Sequence, residues 1–527
     1  MLFLICVFAL GLTVLYPTAR LAVSAAAHWQ SKAIFDPSAA GFRATLNTIF
    51  ISLASVGAAG IAGTSLALLL SRYSFRGRNL AAAMAYLPFA LPPLVGVLSF
   101  YYIIGRDGFV PRILEAWLGR PHLTLTGPWA ILLIHTYSFY VFFFSMVSSS
   151  LDDLDLSLIE AARTLGASRR RVFLTVTLPL LKPALLGAAL LTFMSSGASF
   201  SAPYFFGADF PMLSVQIFDA RGQNQEGAAL TLTVVLACVS LLGIALFRSR
   251  ASSRGAASKG VRRPPKSRAG RYVLTLFAWT VVALLLIPHL TILWLSFVNH
   301  NQWHSEVLPR ILTVGNYAAI FHDAREFVPI RNSLWTSGLA TVMTLLVSIP
   351  AAYLIGRKKR GAGFVNFLVM IPWALPGTVI AVNLITAFND RWAPLYNTVW
   401  MLPLAYFVRN VPLVTRMAAA AIEPFDAGLI AAGRTLGASN TYCFTHITLP
   451  LLTPAIAAAA MLAFATGLGE FVASILLYVP ANLPISMKIF EESRGNGVGS
   501  AFAYAVLLML LVSGAFLLSR RFASRVL

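Results

Sequence analysis

Glu470 is the one carboxylate that falls inside an apolar stretch long enough to cross a membrane, and an ionisable group at that depth marks a functional site by default. The equivalent position in an internal repeat described below, 271 residues earlier, is Ser199, within Ser195-Ser196-Gly197-Ala198-Ser199-Phe200-Ser201. A plainer role is equally open to Glu470, as a partner of Arg409 or of a helix carbonyl that holds helices together. His300, His304 and His322 share one long polar segment, but their spacing is loose and they read as surface histidines. Cys6, Cys238 and Cys443 are scattered without disulfide or metal-ligand spacing and read as structural. No stretch has the form G-x-x-x-x-G-K-[ST] that would cradle a nucleotide phosphate. No His, Cys or carboxylate residues cluster on one face of an apolar stretch, so acid–base, nucleophilic or metal chemistry has no carrier. The expectation is a protein that is not an enzyme, without catalytic residues, resident metal or cofactor.

The elements that would position Glu470 follow from composition. Residues are 58% hydrophobic and 11% charged, and mean hydropathy is +0.76, values that imply an all-α polytopic membrane protein with the lipid bilayer as its solvent. The net charge of +21 does not signal nucleic-acid binding, because the basic residues sit in short loops between apolar runs and not on one folded surface. Spanning helices need roughly 20 apolar residues. Twelve stretches qualify: 1–19, 44–70, 80–104, 129–150, 184–205, 228–247, 272–297, 332–355, 363–387, 395–419, 455–478 and 499–519. Met1 to Tyr16 could imitate a secretory h-region, with Ala25-Ala26-Ala27 as a cleavage site. No basic n-region precedes it and more spans follow, so an uncleaved span is expected.

Lysine and arginine orient the chain. Loops 71–79, 151–183, 248–271, 356–362, 420–454 and 520–527 carry 25 of the 40, against 13 on the other face, which places the first set, and both termini, in the cytoplasm. The segment 248–271, with Arg262-Arg263-Pro264-Pro265-Lys266, is rich in Ser, Gly, Pro and basic residues and reads as a flexible linker. It separates a first half, 1–247 with a core over 40–247, from a second half, 272–527 with a core over 330–519.

The halves are repeats. Glu160-Ala161-Ala162-Arg163-Thr164-Leu165-Gly166-Ala167-Ser168, followed by Val176-Thr177-Leu178-Pro179, returns as Ala431-Ala432-Gly433-Arg434-Thr435-Leu436-Gly437-Ala438-Ser439, followed by Ile447-Thr448-Leu449-Pro450, at a constant offset of 271. Six spans separate the copies, so both loops, 151–183 and 420–454, face one side. Asp155 and Asp426 each precede a short periodic run that a carboxylate can cap. Gly166 and Gly437 suit a left-handed helix end, and Ser168 and Ser439 can cap a second helix. The spacing predicts helix, glycine turn, helix: a shape for docking into a partner's groove. A second pairing joins Leu87-Pro88-Phe89-Ala90-Leu91-Pro92 to Ile371-Pro372-Trp373-Ala374-Leu375-Pro376. Broken helices at matching places of two halves point to a translocation path, which makes Pro92 and Pro376 candidates for it beside Glu470 and Ser199.

The repeated loop resembles the signature loop of bacterial ABC importer permeases: Glu-Ala-Ala, three residues, Gly, nine residues, an aliphatic residue, one residue, Leu-Pro. The first copy matches throughout, with Val176 at the aliphatic position. The second keeps Gly437, Ile447, Leu449 and Pro450 but has Ala431 in place of Glu and Gly433 in place of the second Ala. The resemblance covers essentially the whole chain and implies two cytoplasmic ATPase subunits, a periplasmic or extracellular substrate-binding protein, a bacterial inner membrane, and coupling to the ATPases through Glu160, Ala161, Ala162, Arg163, Gly166, Leu178, Pro179, Arg434, Gly437, Leu449 and Pro450. Fused chains of this length look like the iron(III) importers and, less closely, the thiamine importers. Gly469 to Tyr478 and Pro484-Ile485-Ser486 resemble the iron(III) group. The implied cargo is iron(III), a hard cation that prefers oxygen ligands such as Glu470 and the serines near Ser199. The alternatives are thiamine or another small solute (a polyamine, a phosphonate, a sulfate-like anion) by the same mechanism. An ion-coupled secondary transporter would show intramembrane coupling acids, of which only Glu470, with Arg409, is available, and gives no reason for the paired loops.

Overall fold

The computed structural model describes residues 2–106, 108–119, 124–154, 156–247, 268–299, 311–390, 393–423, 427–495 and 497–523. Most of the linker, residues 248–267, lies outside them, as do His300, His304, Asp155 and Asp426. The chain is an all-α polytopic membrane protein. Nine helices among the described residues are long and apolar enough to cross a bilayer, and two bent pairs, Arg78–Ala90 with Pro93–Leu118 and Ala362–Ala374 with Gly377–Phe388, bring the total to eleven. Twelve are expected. The one outside the eleven corresponds to 395–419, where the helix is Met401–Ile422 and carries Arg409, Asn410 and Arg416, which dilute its apolarity. Two other expected spans end early: 184–205 stops at Gly197 and 455–478 stops at Leu468. Ser199 and Glu470 therefore lie just beyond helix ends rather than inside spans.

The chain divides into two compact units, and they are not the two sequence halves. One comprises Ser31–Asp219 and Val235–Ile292; the other comprises Met1–Gln30, Ala220–Val234 and Leu293–Leu527. The first helix thus packs with the second-half sequence, and the helix that opens the second half packs with the first.

In the unit containing Ser31–Asp219, the helix Ala40–Arg72 crosses Gly127–Asp152 through Ala59, Gly63 and Ala67. These lie four residues apart on one face, the small-residue spacing that lets membrane helices approach. A Cβ added at Gly63 would lie 2.2 Å from the carbonyl oxygen of Tyr140. The Tyr140 hydroxyl donates to Ala85 O at 2.8 Å, where the switch to a tighter turn at Leu87–Ala90 releases a carbonyl. Ala278, Val282 and Leu285 of Arg268–Leu295 join the same core, and Tyr137 donates to Leu285 O at 3.0 Å.

In the other unit, Cys6, Leu10 and Val14 form one buried stripe of the first helix, in a core with Val347, Ala351, Leu384 and Phe388. Arg20 Nη2 meets Asp390 Oδ2 at 2.8 Å. The helix Ala324–Gly356 packs along Met401–Ile422, and Leu449–Leu468 packs on Val498–Ala523, where Ser519 donates to Ala458 O at 2.7 Å.

Candidate functional site

The two repeated loops fold alike, for local reasons. In the first, the helix Leu156–Thr164 ends as Gly166 N donates to Arg163 O at 3.0 Å and Ala167 N to Ala162 O at 3.1 Å, with Gly166 at φ +81°. The second helix, Ala427–Thr435, ends the same way, with Gly437 N to Arg434 O at 2.9 Å, Ala438 N to Gly433 O at 3.0 Å, and Gly437 at φ +87°. This is the double carbonyl cap that a left-handed residue closes. Ser168 Oγ then accepts from Arg171 N at 3.3 Å and Ser439 Oγ from Tyr442 N at 3.1 Å, capping the next helix in each copy. A Cβ at either glycine would meet open space, so within this chain it is the backbone angle, and not crowding, that calls for glycine.

The two loops share a further feature that hydropathy and capping patterns do not reveal. Each capped helix passes through a π-helical turn, Phe173–Thr177 or Phe444–Thr448, immediately before Leu-Pro. The available signal was proline itself, whose missing N–H disturbs the ladder one turn back. The structure also gives a reason for Gly433, where the first copy has Ala162: a Cβ there would lie 2.9 Å from Ile447 Cδ1 and 3.2 Å from Cys443 Sγ.

Glu160, Ala161, Arg163, Gly166 and Pro179 are exposed, as are Arg434, Gly437 and Pro450, while Ala162, Leu178 and Leu449 are half-buried. Beside each glycine stands a bare apolar side chain: Leu165 and Leu436 are both 88% exposed.

The second set of candidates gathers around the broken helices. Pro92 and Pro376 are both buried, and each is the residue before a helix, with φ/ψ of −55°/140° and −57°/153°. The helices on either side of the second break meet at 112°. Glu470 is only 4% exposed and fully engaged. Its Oε1 accepts from Ala473 N at 2.9 Å, its Oε2 lies 3.0 Å from Arg409 Nε, and its carbonyl accepts from Ser474 and Ser486 at 2.7 and 2.9 Å. Ser199, its counterpart, is half-buried; its backbone carbonyl accepts from Ser214 and its N–H donates to Ser196 O. His322, at the end of Gly315–His322, is exposed. A polar centre that the sequence did not announce lies in the unit of Ser31–Asp219, where His135 Nδ1 sits between Ser55 and Ser196. Its repeat counterpart is Tyr406, whose hydroxyl meets Ser474 Oγ at 2.7 Å.

Comparison with known proteins gives one family, described as binding-protein-dependent transport system inner membrane component, matching residues 59–250 and again 344–527. A protein of Sinorhizobium fredii named "Probable ABC transporter permease protein y4fN" is 27% identical, over 90% of this chain and 86% of its own length. The ferric transport system permease protein FbpB of Actinobacillus pleuropneumoniae is 28% identical, over 90% of this chain and 70% of its own. The Fe(3+)-transport system permease protein FbpB 2 of Haemophilus influenzae is 25% identical, over 90% and 89%. Among solved structures, a bacterial ABC transporter that imports the acidic polysaccharide alginate matches 48% of this chain and 98% of its own at 17% identity and a TM-score of 0.38. With both of its repeated segments matched, this chain belongs to the family of binding-protein-dependent transport system inner membrane components, as a multi-pass permease that carries two such domains in one polypeptide.

Proposed function

We propose that the chain is the conduit of an ATP-driven importer for iron(III), powered by two separate ATPase subunits and supplied by a binding protein on the opposite face. The observation that carries this reading is the pair of glycine turns, closed by the same cap hydrogen bonds at similar positive φ, each presenting a leucine that is 88% exposed. Burying one leucine contributes about 1.5–3 kcal/mol, so each turn gains by entering a partner's groove, and two turns fit two partner subunits. In this reading Glu160, Ala161, Ala162, Arg163, Leu178, Pro179, Arg434, Leu449 and Pro450 complete the contacts with the ATPases. ATP chemistry belongs to the partners, since the sequence holds no phosphate-cradling loop. The excess of Lys and Arg in the loops on the same side puts both turns and both termini in the cytoplasm. Pro92, Pro376 and Ser199 line the path, and Glu470 anchors it. The iron(III) assignment is supported by the relatives named for ferric transport.

The test is reconstitution of the chain with its ATPase and binding protein in liposomes. ATP-dependent accumulation of radiolabelled iron, by complexes containing one copy of this chain and two ATPase subunits in native mass spectrometry, is the expected result. Two copies of the chain per ATPase dimer would contradict the stoichiometry. Thiamine uptake without iron uptake would replace the cargo.

A further inference from the structure

Along residues 401–412 every side chain is buried except that of Arg409, which is 43% exposed in the middle of a helix. Its Nε is held by Glu470, whose oxygens are otherwise engaged within the protein. Among the described residues neither Nη1 nor Nη2 has a hydrogen-bond or ion-pair partner. A structural ion pair inside a membrane protein is normally enclosed at both ends, because an exposed cation facing hydrocarbon is costly. This guanidinium is anchored through Nε, and its side chain stays partly exposed.

The tip is at a helix start. A Cβ added at Gly377, first residue of the twelve-residue helix Gly377–Phe388, would lie 2.6 Å from Arg409 Nη1. The residue before that helix is Pro376, which offers no side-chain acceptor, and the helix has no side-chain cap. Its first-turn N–H groups and its positive dipole end add to the guanidinium's charge. Thr378, next in the same turn, is 0% exposed, and its Oγ1 is buried without a hydrogen-bond partner. A cation against an uncapped helix N-terminus is an unfavourable pairing until an anion joins it. Glu470 offsets one charge, from the buried side. Discontinuous membrane helices present such N-termini to anionic groups of their cargo. The first half has no equivalent, since the repeat offset puts Ser138 at the position of Arg409 and Ser199 at that of Glu470.

We propose that Arg409, Thr378 and the first turn of Gly377–Phe388 form a subsite for an oxygen-donor anion (carboxylate, carbonate or phosphate) in the translocation path. This rests on the importer reading above and refines its cargo. A bare trivalent cation would be repelled here, so iron(III) passes this point with an anionic ligand shell; a free oxyanion is the other source of the same chemistry.

The probes are radiolabelled phosphate and citrate in equilibrium dialysis against the full chain complexed with its ATPase. Wild type is expected to bind at least one of them, and R409Q/E470Q, which removes cation and carboxylate together, to bind at least tenfold more weakly while still assembling with the ATPase. Should that variant fail to assemble, Gly377→Ala, which displaces the guanidinium without changing any charge, is expected to weaken binding in its place. Absence of phosphate and citrate binding to wild type, or wild-type affinity in the variant that assembles, overturns the subsite whether or not transport occurs. In liposomes, iron and citrate entering together in fixed ratio identify the ligand shell as the source. Phosphate entering alone identifies a free anion, keeps the subsite and removes iron as cargo. If anion binding behaves as expected but no ATP-dependent uptake of any probe occurs, the importer reading fails and the subsite stands.

Discussion

His135 Nδ1 lies 3.0 Å from Ser196 Oγ, joining the helix Gly127–Asp152 to the helix Leu178–Gly197, and Ser55 Oγ completes the contact at 3.1 Å from the helix Ala40–Arg72. Ser196 also donates to Ser55 at 3.2 Å. All three side chains are 1% exposed or less, so one polar knot ties three helices in a place water does not reach. Removing both serines leaves a buried ring nitrogen without a partner, which costs about 1–3 kcal/mol. S55A/S196A is expected to lower the thermal midpoint of the detergent-solubilised protein clearly, whereas Ser55→Ala, which leaves Ser196 in place, lowers it less. Equal midpoints for the double variant and wild type would show that the knot does not hold the helices.

The first helix offers a similar test in the other unit. Leu10 is 0% exposed and packs in a core with second-half residues such as Val347 and Ala351. Leu10→Ala should cost about 2–5 kcal/mol, as for other buried leucines, and the loss should appear as earlier thermal unfolding and lower yield. An uncleaved, structurally integrated first helix requires this; a dispensable leader would tolerate the change.

That helix also marks where the sequence stops being informative. The glycine turns were legible because their causes are local: a left-handed residue at Gly166 and Gly437, and a serine cap two residues later. The partition into compact units was not, because nothing in the hydropathy of residues 1–19 says which distant helices will accept Cys6, Leu10 and Val14. Glu470 was found by its charge, but its surroundings were not. Apolar residues 471–478 extended the expected span past it, although Leu449–Leu468 ends two residues earlier and the chain turns. Arg409 reads from the sequence only as a partner for that carboxylate; that its Nη1 can lie against the start of the helix Gly377–Phe388 depends on Gly377, 32 positions away in sequence.

The glycine turns separate strain from docking. At φ +81° and +87° any other residue costs roughly 1 kcal/mol, yet an added side chain meets only open space within the chain. Gly166→Ala and Gly437→Ala should therefore leave membrane yield near wild type, with modest loss of coupling. Gly166→Glu and Gly437→Glu should keep the yield, and each should disable docking at its own loop only, so that ATPase retention falls without vanishing and substrate-stimulated hydrolysis is lost, because the larger side chain blocks the partner. Wild-type coupling in both glutamate variants would remove these turns as transmission elements.

The two loops proposed to dock on the ATPases differ in charge, and that difference has a measurable signature. After the first glycine come Arg169, Arg170 and Arg171, all exposed; the second copy has Asn440, Thr441 and Tyr442 at those places, and Tyr442 stacks on His446 at 4.1 Å. Attraction between exposed charges is screened over about 10 Å at 0.1 M salt and about 3 Å at 1 M. Docking at the first loop should therefore weaken with salt while the second, held by apolar contact through Leu436, should not. R169Q/R170Q/R171Q is expected to reduce ATPase retention several-fold at low salt and to match wild type near 1 M, because the charges it removes are already screened there. Gly437→Glu, which leaves only the first loop competent, should conversely make retention strongly salt-dependent. Retention that ignores salt in both wild type and Gly437→Glu would show that the arginines contribute nothing to docking and that the two loops engage their subunits by apolar contact alone.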